Sequence, residues 1–323
     1  MTEHTREDDS LLQSEGPAAR KNLAVQHPVF FGPNGLRAGW RLLIFVALFL
    51  VLGFVILFNP PVRHFLRTLQ GGTITPTAEI VTEGSQVVAL VLAAGVMAWI
   101  EKRSFSDYGL PLSHGFRKSF WLGLPVGFLA LTVLIGLIAA LHGCSLGGLA
   151  LNAHEIPKYA LLYAIGFLLV GVFEEFSFRG YLQSTLASGI GFWPAAIVLA
   201  IVFGALHLGN PGEAKFGAVM VGGFGLVAAF SLRRTGNLWF AIAMHAAWDW
   251  GETFFYSVPD SGLLARGHLL NATFHGPRWL TGGSVGPEGS LLVFPILLLL
   301  ALAIHLMFPP ERATSQSLGA RES

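Results

Sequence analysis

Residues 159–179 read YALLYAIGFLLVGVFEEFSFR, an apolar run from Leu161 to Val172 that ends in two adjacent acids, Glu174 and Glu175, with Arg179 four residues after the second. As a helix, the whole of 159–179 has the length that crosses a hydrocarbon core of about 30 Å, for which about 20 residues are needed. A charge at the centre of a membrane helix costs on the order of 2.5 to 3.5 kcal/mol, so each carboxylate requires a partner or a wet cavity. The stretch is therefore expected to be a membrane helix that carries chemistry near one end.

Seven more apolar segments lie on either side, at 42–58, 80–100, 120–141, 192–208, 216–232, 238–250 and 291–308. Together they predict an all-α fold, a polytopic membrane helix bundle of about eight transmembrane helices. Composition agrees: of 323 residues 53% are hydrophobic and only 12% charged, and the mean hydropathy of +0.61 exceeds what a soluble domain can wet. Lys plus Arg number 20 against 19 Asp plus Glu, so no basic excess exists to hold nucleic acid, and no nucleic-acid partner is expected. The single cysteine, Cys144, has no mate for an internal disulfide and no CxxC context for zinc. It reads as a small buried apolar residue.

Residues 1–36 are polar and of mixed charge, without a short apolar core and cleavage site, and read as a disordered cytoplasmic tail, not a signal peptide. With that tail inside, Arg37, Arg41, Lys102, Arg103, Arg117, Lys118, Arg233, Arg234 and Arg312 are cytoplasmic, against Arg63, Arg67, Lys158, Lys215, Arg266 and Arg278 outside. That majority favours two cytoplasmic termini. The bundle then occupies 37–311, the Gly- and Pro-rich stretch 251–289 is an external loop, and 312–323 is a short cytoplasmic tail. No internal repeat or second domain is evident. The segment at 216–232 carries Gly217, Gly222, Gly223 and Gly225, with Ala218 four before Gly222. This spacing predicts close helix packing, and no GKS or GKT sequence suggests a phosphate loop.

Three groups of ionisable residues fall within the apolar segments. In the first, Glu175 and Arg179 are four apart and share a helical face, acid before base, so they can pair. Glu174 points about 100° away and is left over. The second is Phe203-x-x-x-His207, and the third His245-x-x-x-Asp249, each on one helical face. His142, His154, His268, His275 and His305 read as ordinary interfacial histidines. For His207 and His245 a buried surplus acid on another segment offers a partner, provided the segments converge. A carboxylate beside an imidazole can take a proton from water and make a nucleophile. A second histidine with a partner of its own can stabilise an oxyanion. This inventory suits hydrolysis of an amide bond, and neither GxSxG nor HExxH is present.

Glu174-Glu175-x-x-x-Arg179, Phe203-x-x-x-His207 and His245-x-x-x-Asp249 resemble, in this order, the three motifs of the CPBP intramembrane proteases. That family of CAAX proteases and bacteriocin-processing proteins, also called Abi, includes the type II CAAX prenyl endopeptidases. The resemblance covers about 159–250. It implies a membrane endopeptidase in which Glu174 and His207 activate water and His245 and Asp249 form the oxyanion site. Arg179 and Glu175 would hold the helix, and Phe203 supports His207. The expected partners are membrane lipid and a protein or peptide substrate, in some members lipidated, and the expected location is a bacterial inner or plasma membrane. The final motif position is often Asn in the family and here is Asp249, which either donates as a neutral acid or, ionised, accepts from His245.

No cofactor is required on this reading. The alternative is a divalent metal such as zinc, held by Glu174, His207 and His245, a ligand set of the kind that leaves a position open for water. Two readings of other classes compete: a non-catalytic membrane protein that binds a peptide or confers immunity, and an ion-coupled transporter with Glu174 and Glu175 as proton carriers. The transporter lacks inverted repeats and leaves His245 and Asp249 unexplained. Geometry raises one difficulty. With straight helices entered at Tyr159 and Phe192 from opposite faces, Glu174 and His207 would stand about 15 Å apart along the membrane normal at 1.5 Å per residue.

Overall fold

A computed structural model describes residues 29–32, 35–69, 75–209, 215–260 and 265–309. Most of the predicted N-terminal tail and all of 312–323 lie outside the described residues. Nine helices of ten or more residues organise the rest: α1 (Ala38–Leu57), α2 (Pro60–Leu69), α3 (Pro76–Glu101), α4 (Lys118–Ala140), α5 (Ile156–Ile190), α6 (Phe192–His207), α7 (Lys215–Thr235), α8 (Trp239–Trp250) and α9 (Val293–Met307). All eight predicted apolar segments are helical, and the fold is an all-α bundle.

The count of eight spans is not reached. Five helices, α1, α3, α4, α5 and α7, are long and apolar enough to cross a membrane. Helices α6 and α9 have 16 and 15 residues, and α8 has 12 before it passes into a π-helical turn, Gly251–Tyr256. The shortness of α8 has a physical reason. Every residue from Trp239 to Asp249 is buried in protein, so the thickness of the bilayer does not set its length. Helix α2, with Arg63, His64 and Arg67, was not anticipated, since a search for apolar runs passes over it. Nor was the pairing of the expected external loop with the chain after α4: β1 (Cys144–Leu149) lies antiparallel to β2 (Leu270–Phe274), with Cys144 opposite Phe274.

The outer faces are apolar. Leu50, Phe54, Trp99, Leu161, Ile201 and Leu306 are all exposed, a surface suited to lipid and not to water. Inside, glycine lets backbones meet. A Cβ on Gly127 of α4 would overlap the carbonyl oxygen of Met244 in α8, and one on Gly123 would lie 2.5 Å from that of Phe240. On the other side of α8, a Cβ on Gly171 of α5 would be 2.7 Å from the carbonyl of Ile242. The glycines predicted to pack closely in α7 do so: a Cβ on Gly222 would sit 2.9 Å from the carbonyl of Ala200 in α6.

The 15 Å difficulty is resolved by the turn at Gly191, whose φ of +86° lets α5 end and α6 reverse at once. Glu174 stands 17 residues before Gly191 and His207 16 after it. Across an antiparallel helix pair the two therefore lie level, and the error was to end the helix near Arg179, although α5 runs on to Ile190 before it turns.

Gly127→Ala is expected to lower thermal stability in detergent by about 1–3 kcal/mol, the usual cost of overpacking. Gly136→Ala, where a Cβ would meet nothing within 4 Å, should instead be neutral or gain up to about 1 kcal/mol of helix propensity. Thermal unfolding of the two variants side by side checks this, and equal behaviour would remove close packing as the reason for Gly127.

Candidate active site

Two of the motif-bearing helices widen just beyond their acids. After Glu175 the α5 helix is π-helical from Phe176 to Leu182, and after Asp249 the α8 helix is π-helical from Gly251 to Tyr256. Such bulges often mark functional positions, because they re-aim side chains without ending the helix.

Glu175 is fully buried and holds two partners. Its Oε1 accepts from Arg179 Nη1 at 3.2 Å and from His245 Nδ1 at 2.7 Å. The predicted pair with Arg179 is present, and the link to His245 was missed. Nothing in the sequence spacing relates positions 70 residues apart. With Nδ1 engaged, the other ring nitrogen of His245 is fixed in direction: Nε2 lies 3.5 Å from Glu174 Oε2 and 3.5 Å from Asp249 Oδ2.

Arg179 also joins the second motif. Its guanidinium lies over the ring of Phe203, 4.3 Å from the centroid, and Nε donates to the Gly225 carbonyl at 3.4 Å. A Cβ on Gly225 would collide with Arg179 Nη2, so only glycine leaves room there. Phe203 in turn serves His207: its carbonyl oxygen lies 2.9 Å from His207 Nδ1, and the two rings are 4.6 Å apart. A carbonyl can only accept, so Nδ1 carries the proton and Nε2 of the neutral ring is an acceptor.

Glu174, His207, His245 and Asp249 all line one cavity of about 220 Å³. Glu174 Oε2 is buried and has no hydrogen-bond partner, in keeping with its reading as the surplus acid. His245 Nε2 lies 3.5 Å from it, and no hydrogen bond or ion pair joins Glu174 to His207 among the described residues.

Four further acids line the same cavity: Glu79 and Glu83 from α3, and Asp260 and Glu288 from the stretch beyond α8. None was singled out from sequence. Glu79 and Glu83 are four apart at the start of an apolar helix, which was a legible signal; Asp260 and Glu288 sit in irregular chain without periodicity. Partial burial pushes the Asp260 carboxyl well above the usual carboxylate range, and Asp249 and Glu288 beside it add to the effect.

As a metal site the predicted set does not converge. Zinc ligands lie about 2.0–2.2 Å from the ion, yet Glu174, His207 and His245 do not form a group with ligand atoms within 4.8 Å of one another among the described residues. The group that does is Asp249, Asp260 and Glu288.

Comparison with known proteins follows the motifs. Residues 156–251 match the family model described as type II CAAX prenyl endopeptidase Rce1-like. The resemblance read from the three motifs is borne out over nearly the same residues. No curated protein and no solved structure gave a match. In general terms, the chain is an integral membrane protein that carries a region similar to the type II CAAX prenyl endopeptidases.

Because Glu175 carries both Arg179 and His245, Arg179→Ala should cost roughly 3–5 kcal/mol of stability, as breaking a buried pair usually does. Glu175→Gln should be destabilising as well. Unfolding in detergent measures both, and wild-type stability for either variant would contradict the pairing.

Proposed function

We propose that the protein hydrolyses a peptide bond of a membrane-associated protein or peptide inside the bilayer, using water activated by Glu174 and His207. The observation that carries the reading is the opening of Glu174, His207, His245 and Asp249 into one cavity. Glu174, with Oε2 unpartnered, takes a proton from water while His207 Nε2 orients it. The resulting hydroxide attacks the carbonyl carbon. The oxyanion then forms against His245 Nε2–H, whose direction is set by Glu175 at Nδ1. Glu174 returns its proton to the amine nitrogen as the C–N bond breaks.

Asp249 completes the site beside His245 Nε2, as a neutral acid donating to the oxyanion or as a carboxylate accepting from His245. A lipidated protein substrate is supported by the Rce1-like match, whose description reads type II CAAX prenyl endopeptidase. A lipidated chain would place its cleavage site at the membrane.

Glu174→Gln is expected to abolish cleavage with near-normal expression and detergent stability. Proteomics of membranes carrying wild type or Glu174→Gln reads this as a cut product present only in the first. On the same substrate, Asp249→Ala should lose on the order of a hundredfold, as removal of an oxyanion donor does, whereas Asp249→Asn retains activity if Asp249 donates and loses it if the negative charge is required. Cleavage by Glu174→Gln at the wild-type rate would sink the mechanism.

The metal-free reading is supported by the poor convergence of Glu174, His207 and His245. Protein purified through a zinc-selective chelator should keep its activity with far less than one zinc per chain by elemental analysis. Activity that is lost with zinc and restored by it would overturn this.

A further inference from the structure

Beside the proposed catalytic groups, Asp249, Asp260 and Glu288 bring one carboxylate oxygen each to within 4.8 Å of the others. That is the spacing a single hard cation demands, since oxygens about 2.3–2.6 Å from one ion can be at most about 5 Å apart. Three segments are bent to achieve it. Asp249 ends α8, and Thr253 Oγ1 donates to Asp260 Oδ2 at 2.9 Å. Gly286, with φ +104°, sits so close to Pro259 that a Cβ would overlap the Pro259 carbonyl, which brings the turn bearing Glu288 against Asp260.

A second observation is independent of this spacing. Glu252, one helical turn after Asp249, is fully buried, and neither carboxylate oxygen has a hydrogen-bond partner. Its charged neighbours include Glu288, Asp260 and Asp249, so a fourth acid lies close to the three. Leaving such a group buried and unmatched is costly.

We propose that Asp249, Asp260 and Glu288 bind one oxygen-preferring divalent cation of the Ca²⁺ or Mn²⁺ class, with Glu252 behind them, clamping the chain beyond α8 onto the end of that helix. All-carboxylate donors suit such ions and not zinc. The cation holds Asp249 as a carboxylate, and so selects its role as the acceptor from His245. The site stands whatever reaction the cavity performs, and its test needs no substrate.

The test is Mn²⁺ binding to the full-length protein in detergent, followed by electron paramagnetic resonance. One Mn²⁺ per chain is expected, displaced by Ca²⁺, with a dissociation constant no weaker than about 1 mM, the range of open carboxylate sites. Asp260→Asn and Glu288→Gln should each weaken it about tenfold or more; His207→Ala should leave it unchanged. On wild type alone, hydrogen exchange should show Mn²⁺-dependent protection of 253–260 and 286–290, which decides the matter if the variants fold poorly. Absence of saturable binding, binding indifferent to Asp260→Asn, binding lost in His207→Ala, or protection confined to the end of α6 would each overturn the proposal.

Discussion

The carboxylate of Glu175 is the joint on which the remainder of the site depends. It lies fully buried between the guanidinium of Arg179 and the imidazole of His245. Buried ion pairs seldom repay their desolvation as stability, so their value is better sought in what they fix. Here one oxygen atom fixes two things. It sets the ring of His245 so that Nε2 faces Glu174 and Asp249. It also holds Arg179 where its guanidinium can cover Phe203, whose carbonyl holds His207. The three motifs, on α5, α6 and α8, are thus one connected network, and α7 enters it through the Gly225 carbonyl.

Such a network requires backbones closer than ordinary side chains allow. In lipid no hydrophobic force separates protein from surroundings, and small residues provide the contact. Gly123 and Gly127 seat α4 on α8, and Gly171 seats α5 on its other side. Enclosed by both, α8 places His245 and Asp249 deep in protein although it is only 12 residues long. The same enclosure keeps polar groups away from hydrocarbon, where each would lack a partner.

What was legible in the sequence was whatever is local to one helix. Apolar runs gave the helices to within a few residues except at the end of α5, which continues past Arg179 to Ile190, and four-residue spacings gave Glu175 with Arg179 and the pairing of Phe203 with His207. The link from Glu175 to His245 and the approach of Glu79 and Glu83 depend on which helices are neighbours, which no periodicity encodes. Asp260 and Glu288 lie in chain shaped by glycine turns and the β1–β2 pairing. The 15 Å misplacement of His207 came from treating the membrane face as the reference, when the tight turn at Gly191 is what sets α5 and α6 in register.

The cavity's charge poses a last constraint. Glu79, Glu83, Glu174, Asp249, Asp260 and Glu288 line it with only His207 and His245 as basic groups. Two like charges 4 Å apart repel by about 4 kcal/mol at an effective dielectric of 20, so six carboxylates in one small space demand protons or cations. Position decides which. On the proposed mechanism Glu174, beside His245, must remain free to take and return a proton. Asp260 and Glu288 lie to one side, next to Asp249 and Glu252, and can give up their charge to an ion without obstructing that exchange. A cation there would lower the repulsion that Glu174 feels while touching the reacting groups only through Asp249. On the two proposals together the acidic excess divides into one carboxylate kept for chemistry and a cluster that would anchor the chain beyond α8, with Asp249 shared between them.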